Sequence, residues 1–396
     1  MWTSKKNNKH PAWRKRIINE WKEAVMKGKW IILISGIFFL FISCGEKEAE
    51  YPVVIEDIDG VKTVTNPDYP KEGVLEYTLA EDLSIGGNVD DADYIFHRPQ
   101  DIKVGKDGTI YVMDWGDATF KLYDQEGQFI RVIGGKGQGP SEFGQLTYFS
   151  FGAGEEVIVL DSVNHRVAVL NKVGEYLGGF RIEEGFLTDI ETDNQHHIYV
   201  GLRMREEDFQ WLNIRSFSRD GEELADFGEF QLVQPIINRV KTERGVSTMS
   251  STSRVAPTTV WKVNPEGRLY AGYGDVYQVS VYNPDGSLDF KFGRQYTPAQ
   301  NKYAGKPGQP NKVGIFNVIT RRWIFDGEGN IWIEFYTGED EPEHIVYDVF
   351  SPDGIYLKQV LVKHRIYQFF EGKAFCFVRD EDDFIAVKRF LLVVEN

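Results

Sequence analysis

The chain has 396 residues, 42% of them hydrophobic and 27% charged, with 45 basic and 60 acidic side chains and a net charge of −15. That acidity repels phosphate backbones and excludes nucleic acid as an expected partner. Two cysteines exclude a fold stapled by several disulfides, so stability has to come from a core that a chain of this length can readily build.

The chain opens basic, and residues 30–42 then form an apolar run, WIILISGIFFLFI. A bilayer span needs about 20 residues, so this run is short for a membrane helix and has the length of a secretory h-region. Lys27 and Lys29 precede it, and Ser43, Cys44 and Gly45 follow. The order Phe41-Ile42-Ser43-Cys44 resembles the lipobox of bacterial lipoproteins, with Leu40 one place early. The resemblance implies a lipidated Cys44 that becomes the mature N-terminus. Residues 1–43 then form a signal segment and 44–50 (CGEKEAE) a solvated tether. The alternative is an uncleaved anchor helix. Met26 opens a signal of ordinary length, so translation is expected to start there, with an extended n-region as the alternative.

Beyond Cys44 the chain carries 36 basic and 58 acidic side chains, a net of −22. Such a body is not expected to cling to anionic lipid, and the acyl chains at Cys44 would hold it at the membrane. Gly45 after the cysteine resembles outer-membrane sorting signals, and the acidic tether resembles the surface-export signals of Bacteroidetes lipoproteins. Periplasmic and surface-facing orientations both stay open.

Residues 51–72 (from YPVVIEDIDG) read as an N-terminal hairpin outside the main body. After it come short runs of Val, Ile, Tyr, Phe and Trp separated by Gly turns, which are strand and hairpin signals. The clearest unit is 100–133, with four strands. Further units cover 147–182, 187–228, 258–293 and 320–362. Their last turns place Gly127, Gly174, Gly221, Gly286 and Gly354 where positive φ is needed. This period is that of a four-stranded propeller blade. The sixth unit offers three strands before the chain stops, and GVLEYTL (73–79) can supply the fourth, closing the ring and removing its free edges. The expected fold is all-β: a six-bladed β-propeller over 73–396.

Residues 158–169, IVLDSVNHRVAV, resemble the NHL repeat of six-bladed propellers at Asp161, Asn164, His165 and Arg166. The first blade keeps Asp114 but has no Asn-His-Arg. GGKGQGPSEF (134–143) resembles a segment between blades in six-bladed propeller lipoproteins of the Bacteroidetes type. The resemblance implies a fold and an address rather than a reaction. Asp161 and Asn164 are expected to serve structure, through carboxylate bonds to turn N–H groups.

In a propeller, turns between strands one and two and between three and four share one face. Loops between strands two and three and between blades share the other. The long insertions 203–209, 229–257, 294–315 and 337–343 all fall on the second face, which is therefore the expected binding face. His196 and His197 sit in a turn on the first face, away from it. Candidate ligand-binding residues on the insertion-bearing face are Trp115, Arg203, Arg205, Arg239, Arg244, Tyr303, Lys306 and Arg321. Arg beside aromatics on an acidic body suits an anionic or polyhydroxylated ligand: a glycan, peptide or protein partner. STMSSTS (247–253) reads as a flexible stretch. There is no HExxH, no Cys–His metal spacing and no P-loop ending after GGKGQGP, so no metal or cofactor is expected and no catalytic residue stands out. The reading is an envelope lipoprotein that binds or scaffolds. Its alternative is an envelope hydrolase or lyase working on glycan or peptide at the propeller axis.

Overall fold

The protein is seen in a computed structural model that describes residues 51–396 apart from 88–89, 243–244, 307, 318, 321, 340–341 and 395–396, with backbone alone over most of 238–250. The signal segment, Cys44 and the tether lie outside the described residues.

Two hairpin strands come first, β1 (Val54–Ile58) and β2 (Val61–Asn66), followed by the long β3 (Val74–Gly86). Blade 1 is β4 (Pro99–Val104), β5 (Ile110–Asp114), β6 (Thr119–Tyr123) and β7 (Phe129–Gly134). Blade 2 is β8 (Leu146–Phe151), β9 (Val157–Asp161), β10 (Arg166–Leu170) and β11 (Tyr176–Arg181). Blade 3 is β12 (Phe186–Thr192), β13 (Ile198–Glu206), β14 (Phe209–Phe217) and β15 (Glu223–Gln231). An extra hairpin, β16 (Ile236–Thr242) and β17 (Gly245–Ser251), fills the 229–257 insertion. The stretch expected to be flexible thus begins within a paired strand, because its backbone groups find partners in β16.

Blade 4 is β18 (Thr259–Val263), β19 (Leu269–Tyr273), β20 (Gln278–Tyr282) and β21 (Leu288–Arg294). Blade 5 is β22 (Trp323–Phe325), β23 (Ile331–Glu334), β24 (Ile345–Phe350) and β25 (Tyr356–Val362). Blade 6 takes β26 (Ile366–Phe370), β27 (Lys373–Arg379) and β28 (Ile385–Val394) from the C-terminal end. Its fourth, outermost strand is β3, antiparallel to β28 from Tyr77 to Gly86. The ring closes as the sequence predicts, and the protein is a six-bladed β-propeller.

Each boundary between blades holds its own apolar cluster. Tyr111 and Phe120 meet Phe149 and Val159 between blades 1 and 2. Trp332 and Tyr347 meet Ile366 and Cys376 between blades 5 and 6. Sheets covered on both faces explain why β5 and β9 are buried at every position and read as continuous apolar runs. Each Phe or Leu so buried is worth about 1.5–3 kcal/mol. Cys376 is fully buried among these groups, as a small apolar residue would be.

The turn glycines do two jobs. Gly221 has φ +90, and a Cβ there would stand 2.6 Å from Phe180 in the outer strand of blade 2. Gly354 has φ +83, and its Cβ would meet Phe292 of blade 4 at 2.5 Å. Each turn presses on the preceding blade, so side-chain size as well as backbone conformation selects glycine.

The N-terminal hairpin is not separate from the ring. β2 pairs in parallel with β21, so β1 and β2 extend blade 4 to six strands. The chain then crosses blade 5, where Lys71 and Glu72 donate to the carbonyls of Tyr356 and Leu357. The first residues of β3 pair in parallel with β25 before the strand passes to blade 6. The buried Asn66 pins this crossing: its amide donates to the carbonyls of Gly293 at 2.9 Å and Gly354 at 2.8 Å and accepts from the Tyr356 N–H at 2.9 Å.

Candidate functional site in the axial channel

The first strand of every blade lines the axis. Register shifts interrupt the pairing of four of them with their neighbours, at Pro99/Asp101, Leu146/Tyr148, Leu187/Asp189 and Ile366/Gln368. Such bulges re-aim side chains. Past each bulge, polar residues alternate with core residues. Ile102 and Val104 enter the boundary between blades 6 and 1, while Asp101 and Lys103 take the opposite side of β4. In blade 3, Ile190 packs in the core and Asp189 and Glu191 turn the other way.

These side chains make a charged layer across the ring. Lys262 of blade 4 donates to Glu191 of blade 3. Arg322, leading into blade 5, donates to Asp101 of blade 1 at 3.0 Å and to the Gln100 carbonyl at 2.8 Å. Its guanidinium lies 3.8 Å from the ring centroid of Tyr367 in blade 6. Glu334 accepts from Arg365 through both oxygens, at 2.6 to 3.0 Å. Burial works against the charge on Glu191, but the ammonium groups of Lys103 and Lys262 overcome it and hold the carboxyl below its usual range. Asp189 has no cation within ion-pairing distance among the described residues, and its side chain accepts from the Ile190 N–H at 2.8 Å. Burial, reinforced by the charge of Glu191, pushes it up to about 7.

Beside this layer lies a cavity of about 280 Å³ lined by residues from all six blades. Lys103, Glu191 and Lys262 form its charged wall, and Phe151, Phe325 and Phe369 its aromatic part. Lys106, Asn194, His196 and Pro265 come from turns between first and second strands, so the cavity sits at the tight-turn end of the axis. The long insertions lie at the other end. His196, on the face that sequence puts away from binding, is therefore part of the lining.

The candidate residues from sequence take other positions. Trp115 follows β5, with the Arg98 guanidinium 5.3 Å from its ring. Arg203 is exposed, 4.7 Å from the Phe186 ring, and Arg205 donates to the Glu207 carbonyl at 2.8 Å. Tyr303, in the connection between blades 4 and 5, has the Lys306 ammonium 4.9 Å from its ring. None of these five lines the axial cavity. Arg239 is described by backbone alone, and Arg244 and Arg321 lie outside the described residues. The axial residues carried a legible signal that was missed: charges at alternate positions on either side of a core isoleucine, in QDIKV and TDIET.

The motif at 161–166 serves the loop before blade 2. Asp161 accepts from the N–H groups of Gly144 and Gln145 at 3.2 Å and from the Asn164 amide at 2.6 Å. Arg166 donates to the Gly139 carbonyl at 2.9 Å. Asp114 does the same in blade 1, accepting from the N–H groups of His97, Arg98 and Gly116. His97, Asp114 and Asp117 bring one potential metal-ligand atom each within 4.8 Å of one another. Three N–H donors already engage Asp114, and Asp161 does the same work without a histidine, so this cluster reads as a latch.

A family model described as a 6-bladed beta-propeller matches residues 91–245. No curated protein matches the chain. Among solved structures the chain is similar to a Bacteroides fragilis protein described as exported, with a TM-score of 0.52 and 9% identity over 84% of this chain and 99% of that one. It is also similar to a member of the DUF4221 family from Bacteroides vulgatus, with a TM-score of 0.47 and 10% identity over 81% of this chain and 99% of that one. Virginiamycin B lyase from Staphylococcus aureus aligns at a TM-score of 0.41 and 11% identity, over 80% and 99% of the two chains. At 9% identity the likeness to the Bacteroides fragilis protein is one of fold alone.

Proposed function

We propose that this six-bladed β-propeller is a cell-envelope binding protein that takes a small polar ligand in its axial cavity. The observation that carries the reading is the cavity itself. Six blades converge on one concave site where charged and aromatic side chains stand together, the usual form of a small-molecule site. The other face, with its insertions and with Trp115, Arg203, Arg205, Tyr303 and Lys306, is left for a larger glycan, peptide or protein partner. The address follows from the front of the chain: export by the signal segment, lipid attachment at Cys44, and anchoring at the outer membrane. Metabolic labelling with a radioactive fatty acid tests the anchor, and a Cys44→Ser protein that still takes up label would refute it. A thermal-shift screen of sugars, amino acids and peptides tests the cavity. Hits abolished by Asn194→Trp at its mouth support the reading, and hits indifferent to that change count against it.

The enzyme reading has one observation in its favour. Asp189 and Glu191 stand two residues apart on β12, with protonation ranges pushed in opposite directions, as in an acid and base pair. Glu191 is clamped by Lys262, however, and Asp189 is not part of the cavity lining. Binding is therefore the better-supported function.

A further inference from the structure

Lys103 stands out in the cavity because its bonding is incomplete. Its side chain is 16% exposed, and the nearest carboxylate oxygen, on Glu191, is 3.9 Å away. That is beyond hydrogen-bond reach. The same carboxylate already accepts from Lys262. The other neighbour is the Phe149 ring, 5.5 Å from the ammonium. An ammonium has three N–H donors, and among the described residues that of Lys103 donates to none. Its donors face the cavity rather than a protein acceptor and are open to a ligand there. Lys106, exposed at the mouth of the same cavity, adds a second positive charge. Lys103, Lys106 and Lys262 outnumber the two lining carboxylates, Glu191 and Asp193, and Asp193 is already engaged by His197 and Tyr199, so the wall is net positive within a strongly acidic protein.

Two further features narrow the ligand. Glu191 stands close enough to Lys103 to repel a dianion, so one negative charge suits the site better than two. Phe151, Phe325, Tyr367 and Phe369 present aromatic surface in the same cavity, which suits the apolar face of a ring.

We propose that the axial cavity binds an acidic sugar of the hexuronate class, with its carboxylate on Lys103 and Lys106 and its ring against the aromatic wall. This rests on the cavity being the ligand site.

Calorimetric titration of the purified protein with D-glucuronate, D-glucose and N-acetyl-alanyl-alanine tests it. Glucuronate is expected to bind at least tenfold more tightly than the other two. Lys103→Met should weaken glucuronate at least tenfold, with melting temperature as the control for folding, while Lys103→Arg restores most of the affinity. If Lys103→Met does not fold, Lys106→Met at the exposed mouth makes the same comparison, with at least a threefold loss expected. Equal binding of glucose and glucuronate, no binding of glucuronate, tighter binding of the peptide, or indifference to these substitutions overturns the proposal. Asn194→Trp separates the two readings. If it blocks a neutral sugar or peptide found by screening, the cavity stands and the carboxylate falls. If no ligand found responds to it, both fall.

Discussion

Arg294 and Asp348 form an ion pair at 2.6 Å across the boundary between blades 4 and 5, with neither side chain more than 5% exposed. The Tyr356 hydroxyl donates to the second carboxylate oxygen at 2.5 Å, and the Gln359 amide donates there at 3.0 Å. The guanidinium lies 4.7 to 5.3 Å from the ring centroids of Tyr277, Tyr296, Phe335 and Tyr356. A buried pair repays its desolvation only while both partners remain. Arg294→Met is expected to cost about 3–5 kcal/mol in urea unfolding, because it leaves Asp348 in a dry site without its cation. Adding Asp348→Leu should recover part of that loss. A single variant that unfolds within ~1 kcal/mol of the parent would remove this pair from the account of stability.

The turn glycines allow a paired comparison. Gly60 has φ +81 and open space, with nothing within 4 Å of where a Cβ would stand, whereas Gly221 has φ +90 and its Cβ would press on Phe180. Gly60→Ala carries the backbone cost alone, about 1 kcal/mol. Gly221→Ala adds a steric clash of about 1–3 kcal/mol more. Equal losses in thermal or urea unfolding would show that the blade-to-blade contact does not matter.

The pH dependence of stability has a sign set by Asp189. Its folded value, near 7, lies above the ordinary aspartate value. Between about pH 4 and 7 the folded state therefore holds a proton that the unfolded state has released. This group's contribution to stability is fully present below that window and is lost as pH rises through 7. Asp189→Asn should flatten the stability profile between pH 5 and 8 and raise the melting temperature at pH 8 relative to the parent. A profile that keeps its slope in the variant would place the titration elsewhere.

Burial pushes the Cys376 thiol up to about 12. The native protein at pH 8 is expected to resist iodoacetamide at this position, and the urea-unfolded chain to react within minutes, with mass spectrometry of the tryptic peptide as the readout. Rapid alkylation of the folded protein would mean that blades 5 and 6 separate readily.

The sequence by itself determined the repeat, the blade of four strands, the turns at Gly127, Gly174, Gly221, Gly286 and Gly354, and closure by the strand that begins at Val74. Each of these rests on short-range physics: alternation along a strand, or a positive φ within a single turn. The latch at Asp161 was legible for the same reason, since Asn164 and Arg166 sit a few residues away. Tertiary structure alone decided the rest. Asn66 bonds to Gly293 and Gly354, more than 200 residues downstream, so nothing near it in the chain revealed that the hairpin straps blade 4 to blade 5. Lys103 and Glu191 approach each other because bulges turn their strands toward the axis, and Lys262 reaches Glu191 from the neighbouring blade. Which face of a first strand looks inward is a property of the whole ring, and it moved the candidate site from the insertion loops to the axis.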